Sequence, residues 1–234
     1  MGLIVEMKIS VIVPVYNEEA TIEELLLRVH SSHYNKEIIV VDDGSTDETR
    51  QILETSSKLK SMALKLIYHD RNLGKGAALK NGFMSATGDV IIIQDADLEL
   101  NPSDYPKLLE PILGGRADVV YGSRFMGRNV NSLSLHYTGN QFLTTISNAF
   151  THLELSDMET GYKVFKREVL DEIRIKSKRF GFEPEFTAKV AKKQFRISEV
   201  PVNYNARSYK EGKKIKWRDG IVALVAIIWF SIFD

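Results

Sequence analysis

The chain reads as an α/β domain built on a mostly parallel sheet, and three observations predict it. Apolar, β-branched runs recur at Lys8–Val15, Glu37–Val41, Leu64–Tyr68, Val90–Gln94 and Asp118–Gly122. Segments of helical spacing separate them. Strand–helix–strand alternation over about 120 residues calls for parallel strands joined by crossovers, with helices on both faces. Polar residues then collect where the runs end: Tyr16, Asp42, Asp43, Asp95 and Asp97 all fall at carboxyl ends. Open α/β sheets gather their ligands at that edge.

Each element has its own warrant. Asn17 is a candidate N-cap for a helix carrying Ile22, Leu25, Leu26 and Val29 on one face, with Glu18 and Glu19 in its first turn. Thr46–Lys58 and Gly76–Ala86 have similar spacing, and Pro102–Leu113 opens with proline at an early helical position. Beyond Arg124 the pattern changes. Arg124–Thr151 is polar before turning helical, Ser156–Phe165 reads as a strand or turn, Lys166–Ile173 and Glu183–Lys193 as helices, and Phe195–Tyr204 as extended.

Composition sets the limits. With 234 residues, 44% hydrophobic and 26% charged, the chain can bury a sizeable core. No Pro/Gly/Ser-rich linker or repeat divides it, so residues 1–220 are expected as one domain, with 221–234 a separate apolar segment. Formal net charge is zero, which gives no global field to recruit nucleic acid. Cysteine is absent, which excludes disulfides and thiolate metal sites. The start, MGLIVEMKIS, lacks the basic region and long apolar run of a secretory signal. A cytoplasmic setting is the expectation.

The segment Val90–Glu99 (VIIIQDADLE) carries the most chemistry. Its apolar run reads as a strand buried on both faces, and Asp95 and Asp97 follow with only Ala96 between them. Two carboxylates that close repel unless a cation lies between them. Oxygen ligands suit a hard divalent ion, Mg²⁺ or Mn²⁺, with positions left open for phosphates. The same pair also reads as a solvated turn with acidic caps. Asp42 and Asp43, followed by Gly-Ser, could likewise cap the next helix or accept a base N–H beside Tyr16. GKG at Gly74–Gly76 lacks the rest of a phosphate loop. His30, His33, His69, His136 and His152 make no ligand spacing, and Phe180, Phe182 and Phe186 read as core.

The motifs PVYNE, VVDDGSTDET, NLGKGAALKNG, DADLE and YGSRF, in this order, resemble those of the family-2 glycosyltransferases of the GT-A fold. The resemblance runs from about Lys8 to Trp217. Later motifs GYKVF, FEPE and R-x5-K are similar to those of dolichyl-phosphate mannose synthases, dolichyl-phosphate glucosyltransferases and bacterial polyprenyl-phosphate sugar synthases. The resemblance implies an inverting transfer of one hexose from a nucleotide diphosphate sugar, GDP-mannose or UDP-glucose, to a polyprenyl or dolichyl phosphate. It implies that Pro14, Tyr16, Glu18 and Asp43 hold the nucleoside and that Asp95 and Asp97, with Glu99 as a further ligand, hold Mg²⁺ or Mn²⁺ on the diphosphate. Arg124 would meet the acceptor phosphate, and Arg207 and Lys213 would close over the pyrophosphate.

Physical chemistry supports such roles. A leaving diphosphate gains charge, which a metal and Arg/Lys donors stabilise. A phosphate monoester acceptor is already ionised and needs positioning more than a base. A sugar hydroxyl acceptor would need a carboxylate base, for which Glu185 and Asp157 are candidates, Glu185 reading equally as a buried structural partner for the cationic segment. The rival class is a nucleotidyltransferase with paired aspartates, and a silent sugar-nucleotide-binding module is a third reading. Finally, Arg207–Arg218 holds six basic residues against one acid, and Ile221–Phe233 runs thirteen residues with only Ser231 polar. A bilayer span needs roughly 20, so this segment is expected either to pack on protein or to lie at a membrane surface beside anionic lipid. Oligomeric state is not legible.

Overall fold

The computed structural model describes residues 7–126, 135–179, 181–207 and 217–234. Its strands are β1 (Ile9–Val15), β2 (Lys36–Asp42), β3 (Leu64–Tyr68), β4 (Val90–Ile93), β5 (Val119–Ser123), β6 (Lys163–Lys166) and β7 (Ile197–Pro201). They form one seven-stranded sheet in the order β3-β2-β1-β4-β6-β5-β7. β1 pairs in parallel with β2 and β4, β2 with β3, and β5 with β7, while β6 runs against both its neighbours. The predicted mostly parallel sheet is therefore present, with one reversed strand. Strand order turns about β1, so the carboxyl ends of β1, β2 and β4 border one crevice.

Alternation along the strands builds a core on each face. Val11, Val13, Val40 and Ile92 meet Leu25, Leu26 and Val29 of α1 (Ile22–Ser31) and Leu108, Leu109 and Ile112 of α5 (Tyr105–Leu113). Ile12, Ile39, Val41, Ile91 and Ile93 face the other way. They meet Ala78, Leu79 and Phe83 of α4 (Lys75–Ser85) and Phe182, Phe186 and Val190 of α8 (Phe182–Lys192). Each such fully buried aliphatic side chain contributes about 1.5–3 kcal/mol. Phe182 and Phe186 are thus core, as read; Phe180 lies outside the described residues.

Several boundaries differ from expectation for local reasons. Asn17 does not cap α1. It takes a positive φ of 51°, its Oδ1 accepts from Thr46 N at 2.8 Å, and the helix begins four residues past Glu18. Thr46–Lys58 is not one helix but α2 (Thr49–Thr55) and α3 (Ser57–Lys60). Ser56 breaks it with an extended ψ of 123°, and its Oγ donates to Glu23 at 2.6 Å. Ser156–Phe165 is a turn leading into β6, as read; Asp157 Oδ2 accepts from Arg124 N at 3.0 Å and Thr160 Oγ1 donates to Gly122 O at 2.6 Å, tying the turn to the end of β5. Lys166–Ile173 yields only the single turn α7 (Val169–Glu172). Pro102–Asp104 forms a 3₁₀ turn leading into α5.

Two further helices cover the second half, α6 (Leu135–Thr151) and α9 (Trp217–Ile232). One stripe of α9 packs inward: Ala226 and Phe230 cluster with Ala188, and Ile227 joins the second core. Among the described residues no helix is long and apolar enough to cross a membrane.

Candidate active site

The site grows from the ends of the central strands. Past β4, Gln94 is fully buried, and its Oε1 accepts from Tyr105 Oη at 3.0 Å and Tyr162 Oη at 2.7 Å. Its amide donates to Asp95 O at 3.1 Å and to Leu100 O at 3.3 Å. One buried amide thus pins both ends of the loop that carries the acids. Within that loop Leu98 takes a positive φ of 60°, and Asp97 Oδ1 accepts from Glu99 N at 3.1 Å.

The two aspartates receive different partners. Lys75 Nζ lies 2.8 Å from Asp95 Oδ1 and 3.0 Å from Glu183 Oε1. Burial opposes its charge, but the two acids hold the ammonium above its ordinary range. Asp97 meets Arg207 Nη2 at 3.2 Å. Its burial, with Asp95 and Glu99 adding negative charge, pushes the Asp97 carboxyl up to about 7 despite that arginine. Both acids are therefore partnered by the chain's own cations.

Lys75 was not singled out by sequence, because GKG was measured against a phosphate loop. Its glycines serve another purpose. A Cβ at Gly74 or Gly76 would overlap the backbone carbonyl of Lys178 or Ser177. Those contacts, together with the bond from Ala77 N to Lys178 O at 3.0 Å, seat the start of α4 and aim Lys75 at Asp95. The sequence signal is the NLGKGAALKNG motif, and the meaning of its lysine depends on residues a hundred positions away.

Glu99 turns to the C-terminal segment. Its Oε1 accepts from Arg207 N at 2.9 Å and its Oε2 from Tyr204 Oη at 3.1 Å. Among the described residues, no three His, Asp or Glu side chains converge as ligands for one ion. Glu99 thus anchors the segment that carries Arg207. Arg207 also meets Glu18 at 2.8 Å, joining the end of β1 to the acids. Lys213 lies outside the described residues.

On the nucleoside side, Pro14 is the penultimate residue of β1, opposite Val41 in the register, and Tyr16 follows the strand partly exposed. Asp43 is buried, and its carboxylate accepts from Leu73 N at 2.9 Å, Gly74 N at 2.7 Å and the His69 ring at 2.7 Å. The carboxylate therefore fastens the loop leading to Lys75, with Oδ2 keeping capacity for a further donor. Asp42 does not cap α2; it holds the turn after β2, accepting from Ser45 N at 3.0 Å, and accepts from Arg50 Nε at 3.1 Å.

Arg124 stands past β5 on the opposite side of the crevice. Its Nε and Nη2 grip the two oxygens of buried Asp157 at 2.7 Å each, and its guanidinium lies 5.3 Å from the centroid of the Tyr204 ring. Asp157 is thereby committed as a partner of arginine. Glu185 is equally committed, accepting from Lys176 N at 2.7 Å, Ser177 N at 2.6 Å and Lys189 Nζ at 2.7 Å. Neither expected base is free. Glu159, two residues from Asp157, is different: its Oε1 is buried without a hydrogen-bond partner. Burial first, then the charge of Glu183, push Glu159 up to about 8. Burial brings neighbouring Lys163 down to about 8 while its ammonium donates to Thr160 O at 2.6 Å.

A sheet of this order, with acids at the tip of β4 and basic side chains closing on them, is the GT-A type of sugar-nucleotide transferase fold. Residues 10–174 match the family model described as glycosyl transferase family 2, and the chain belongs to that family. It is 31% identical over 209 residues to the undecaprenyl-phosphate 4-deoxy-4-formamido-L-arabinose transferase of Aeromonas hydrophila, covering 88% of this chain. It is 32% identical over 220 residues to the dolichol-phosphate mannosyltransferase of Pyrococcus furiosus, again over 88% of this chain. The chain spans 62% and 59% of the lengths of those two relatives. Among solved structures, glucosyl-3-phosphoglycerate synthase from Mycobacterium tuberculosis, in complex with Mn²⁺, UDP and phosphoglyceric acid, superposes with a TM-score of 0.76 at 20% identity. That match covers 98% of this chain and 80% of the synthase.

Proposed function

We propose that this chain transfers one hexose, with inversion, from a nucleotide diphosphate sugar to a polyprenyl or dolichyl phosphate at a membrane surface. One observation carries the reading: Asp95 and Asp97 stand at a strand tip between Lys75 and Arg207, with Arg124 across the crevice. The names of the two curated relatives support a lipid-phosphate acceptor.

The residues fit a divalent ion. Two aspartates offer hard oxygen ligands, Asp97 is disfavoured as a bare anion, and among the described residues no third acid converges on them, which leaves positions for a diphosphate. Mg²⁺ or Mn²⁺ held by Asp95 and Asp97 would supply charge neutralisation to the departing diphosphate. The side chains do the rest. Lys75 and Arg207 bring positive charge to the oxygens on which negative charge develops. Tyr16 and Pro14 wall the base, and Asp43 holds the loop behind it. Arg124, kept in one rotamer by Asp157, presents the edge of its guanidinium to an acceptor phosphate. Such an acceptor is ionised near neutral pH, so no proton must be removed.

A second reading, transfer to a sugar hydroxyl, is favoured by one feature. Glu159 is a carboxyl near Arg124 with an unpartnered oxygen, and in its ionised form it could take a proton.

The test uses purified protein, Mn²⁺, and radiolabelled UDP-glucose or GDP-mannose with a short-chain prenyl phosphate. Label should pass into the lipid phase and be lost in Asp97→Ala. Label appearing instead on a saccharide hydroxyl, and lost in Glu159→Gln, would favour the second reading. No transfer to any acceptor would sink both.

A further inference from the structure

A groove of about 710 Å³ lies between α9 and the segments 71–73 and 177–181. Its rim carries Arg71, Lys178 and Arg179, all exposed, and no acid lines it. None of the three makes an ion pair with any described acid, although most of the other described Lys and Arg side chains do. Its apolar wall comes from α9, where Val222 is 50%, Val225 59% and Trp229 55% exposed. These residues, with Ile232 at 53%, recur at three- and four-residue spacing and so form one stripe opposite the buried Ala223–Ala226–Ile227–Phe230 stripe.

Exposed aliphatic and aromatic surface on this scale marks an interaction face. Unpaired cations beside it select an anionic partner. A second copy meeting this face by two-fold symmetry would set cations against like charge or against hydrocarbon. The surface of an anionic bilayer offers the complement of both halves, phosphates for the rim and acyl chains for the stripe.

We propose that this groove and the outer stripe of α9 seat the protein on an anionic phospholipid surface, with lipid phosphates on Arg71, Lys178 and Arg179. The helix lies in the plane of the interface, its buried stripe kept by the domain. The cations are not those of the Arg207–Arg218 run, to which sequence alone pointed. Their placement has a structural source: Glu185 accepts from Lys176 N and Ser177 N, fixing the approach to Lys178 and Arg179. The proposal deepens the membrane-surface part of the function above and rests on it.

The experiment is vesicle co-sedimentation of the full chain. Vesicles are phosphatidylcholine alone or mixed with phosphatidylglycerol, and turnover is assayed on a water-soluble short-chain prenyl phosphate. Wild type should sediment with anionic vesicles at least about tenfold better than with neutral ones. Arg71→Glu/Arg179→Glu should abolish that preference, and Val225→Glu/Trp229→Glu should abolish sedimentation, each with unchanged melting temperature and soluble turnover. Equal sedimentation with both vesicle types, or indifference to charge reversal, overturns the proposal. So does a dimer that Val225→Glu/Trp229→Glu dissociates while wild type ignores vesicles. Vesicle binding without turnover on any acceptor would instead overturn the transferase reading and leave this one standing.

Discussion

Arg207 rests on Asp97, with Nη2 3.2 Å from Oδ2, while its other terminal nitrogen reaches Glu18 at 2.8 Å across 189 residues of chain. A protein cation thus occupies one of the two carboxylates assigned to a metal ion. Release of Arg207 from Asp97 toward an incoming diphosphate would exchange one cation for another at nearly constant local charge. Arg207→Ala should therefore bind Mn²⁺ more tightly without nucleotide, yet lose about 100-fold in turnover, as when one donor to a developing oxyanion is removed. Titration calorimetry with Mn²⁺ and steady-state kinetics check the two halves. A variant weaker in both would show that arginine supports the carboxylate rather than competing for it.

Gly161 bounds Asp95 from behind, and a Cβ there would overlap Asp95 Oδ2 and crowd its carboxylate carbon. Gly161→Ala must turn the carboxylate or shift the loop, a packing cost of about 1–3 kcal/mol. The expected outcome is a melting temperature lowered by only a few degrees with turnover nearly lost, because the displaced oxygen belongs to the aspartate pair. Wild-type turnover in that variant would show that Asp95 Oδ2 has no part in the reaction.

Breaking the Lys75 bridge should reveal coupling between α4 and α8. Lys75→Met leaves Glu183 buried without its cation, and Glu183→Gln leaves Lys75 on Asp95 alone. Each single change is expected to destabilise by about 1–3 kcal/mol, and the double variant by clearly less than their sum. Denaturant melts of the four proteins in the cycle measure it; strict additivity would dissolve the bridge.

What the sequence exposed and what it hid follow from range. The strands and the aspartates were legible because burial on both faces writes a continuous apolar run, and two acids at its end interrupt it abruptly. Lys75, Gln94 and Glu159 were not, since each acquires its meaning from partners far along the chain: Glu183, Tyr162 and Arg124. Boundaries failed where a polar side chain bonded a partner far along the chain, at Asn17 and Ser56. Asp157 reads as a base in one dimension because nothing local reveals that Arg124 already claims it, whereas Glu185 takes the structural reading of its two, at the turn after Lys176.

Glu159 predicts a pH dependence of known sign. Its carboxyl, faced by Arg124, Lys163, Asp157 and Glu183, is pushed up to about 8, burial being the first cause. The folded state therefore holds a proton that the unfolded chain releases near 4.5, and stability falls as pH rises from there through about 8. Glu159→Gln removes this slope. Melting curves of the two proteins should coincide near pH 4, with the variant gaining steadily up to about pH 9. An offset that stays constant with pH would mean that Glu159 is not protonated in the fold.

Arg124 offers the sharpest separation of acceptor from donor. Its guanidinium grips both oxygens of fully buried Asp157, a geometry that lysine cannot reproduce because an ammonium has no fork. Arg124→Lys keeps the charge yet satisfies Asp157 through one oxygen only. It should lower stability by about 1–2 kcal/mol, as for loss of a charged hydrogen bond. If Arg124 meets the acceptor phosphate, the variant's KM for prenyl phosphate should rise about tenfold or more, about 1.4 kcal/mol of lost binding. Affinity for the nucleotide with Mn²⁺ should stay as in wild type, because Arg124 lies across the crevice from Asp43 and Tyr16. Asp157→Asn controls for misorientation: it frees the guanidinium while leaving its charge, so it should disturb acceptor KM less than Arg124→Lys does. Equal losses in donor and acceptor affinity for both variants would reduce the Arg124–Asp157 pair to a brace of the loop past β5.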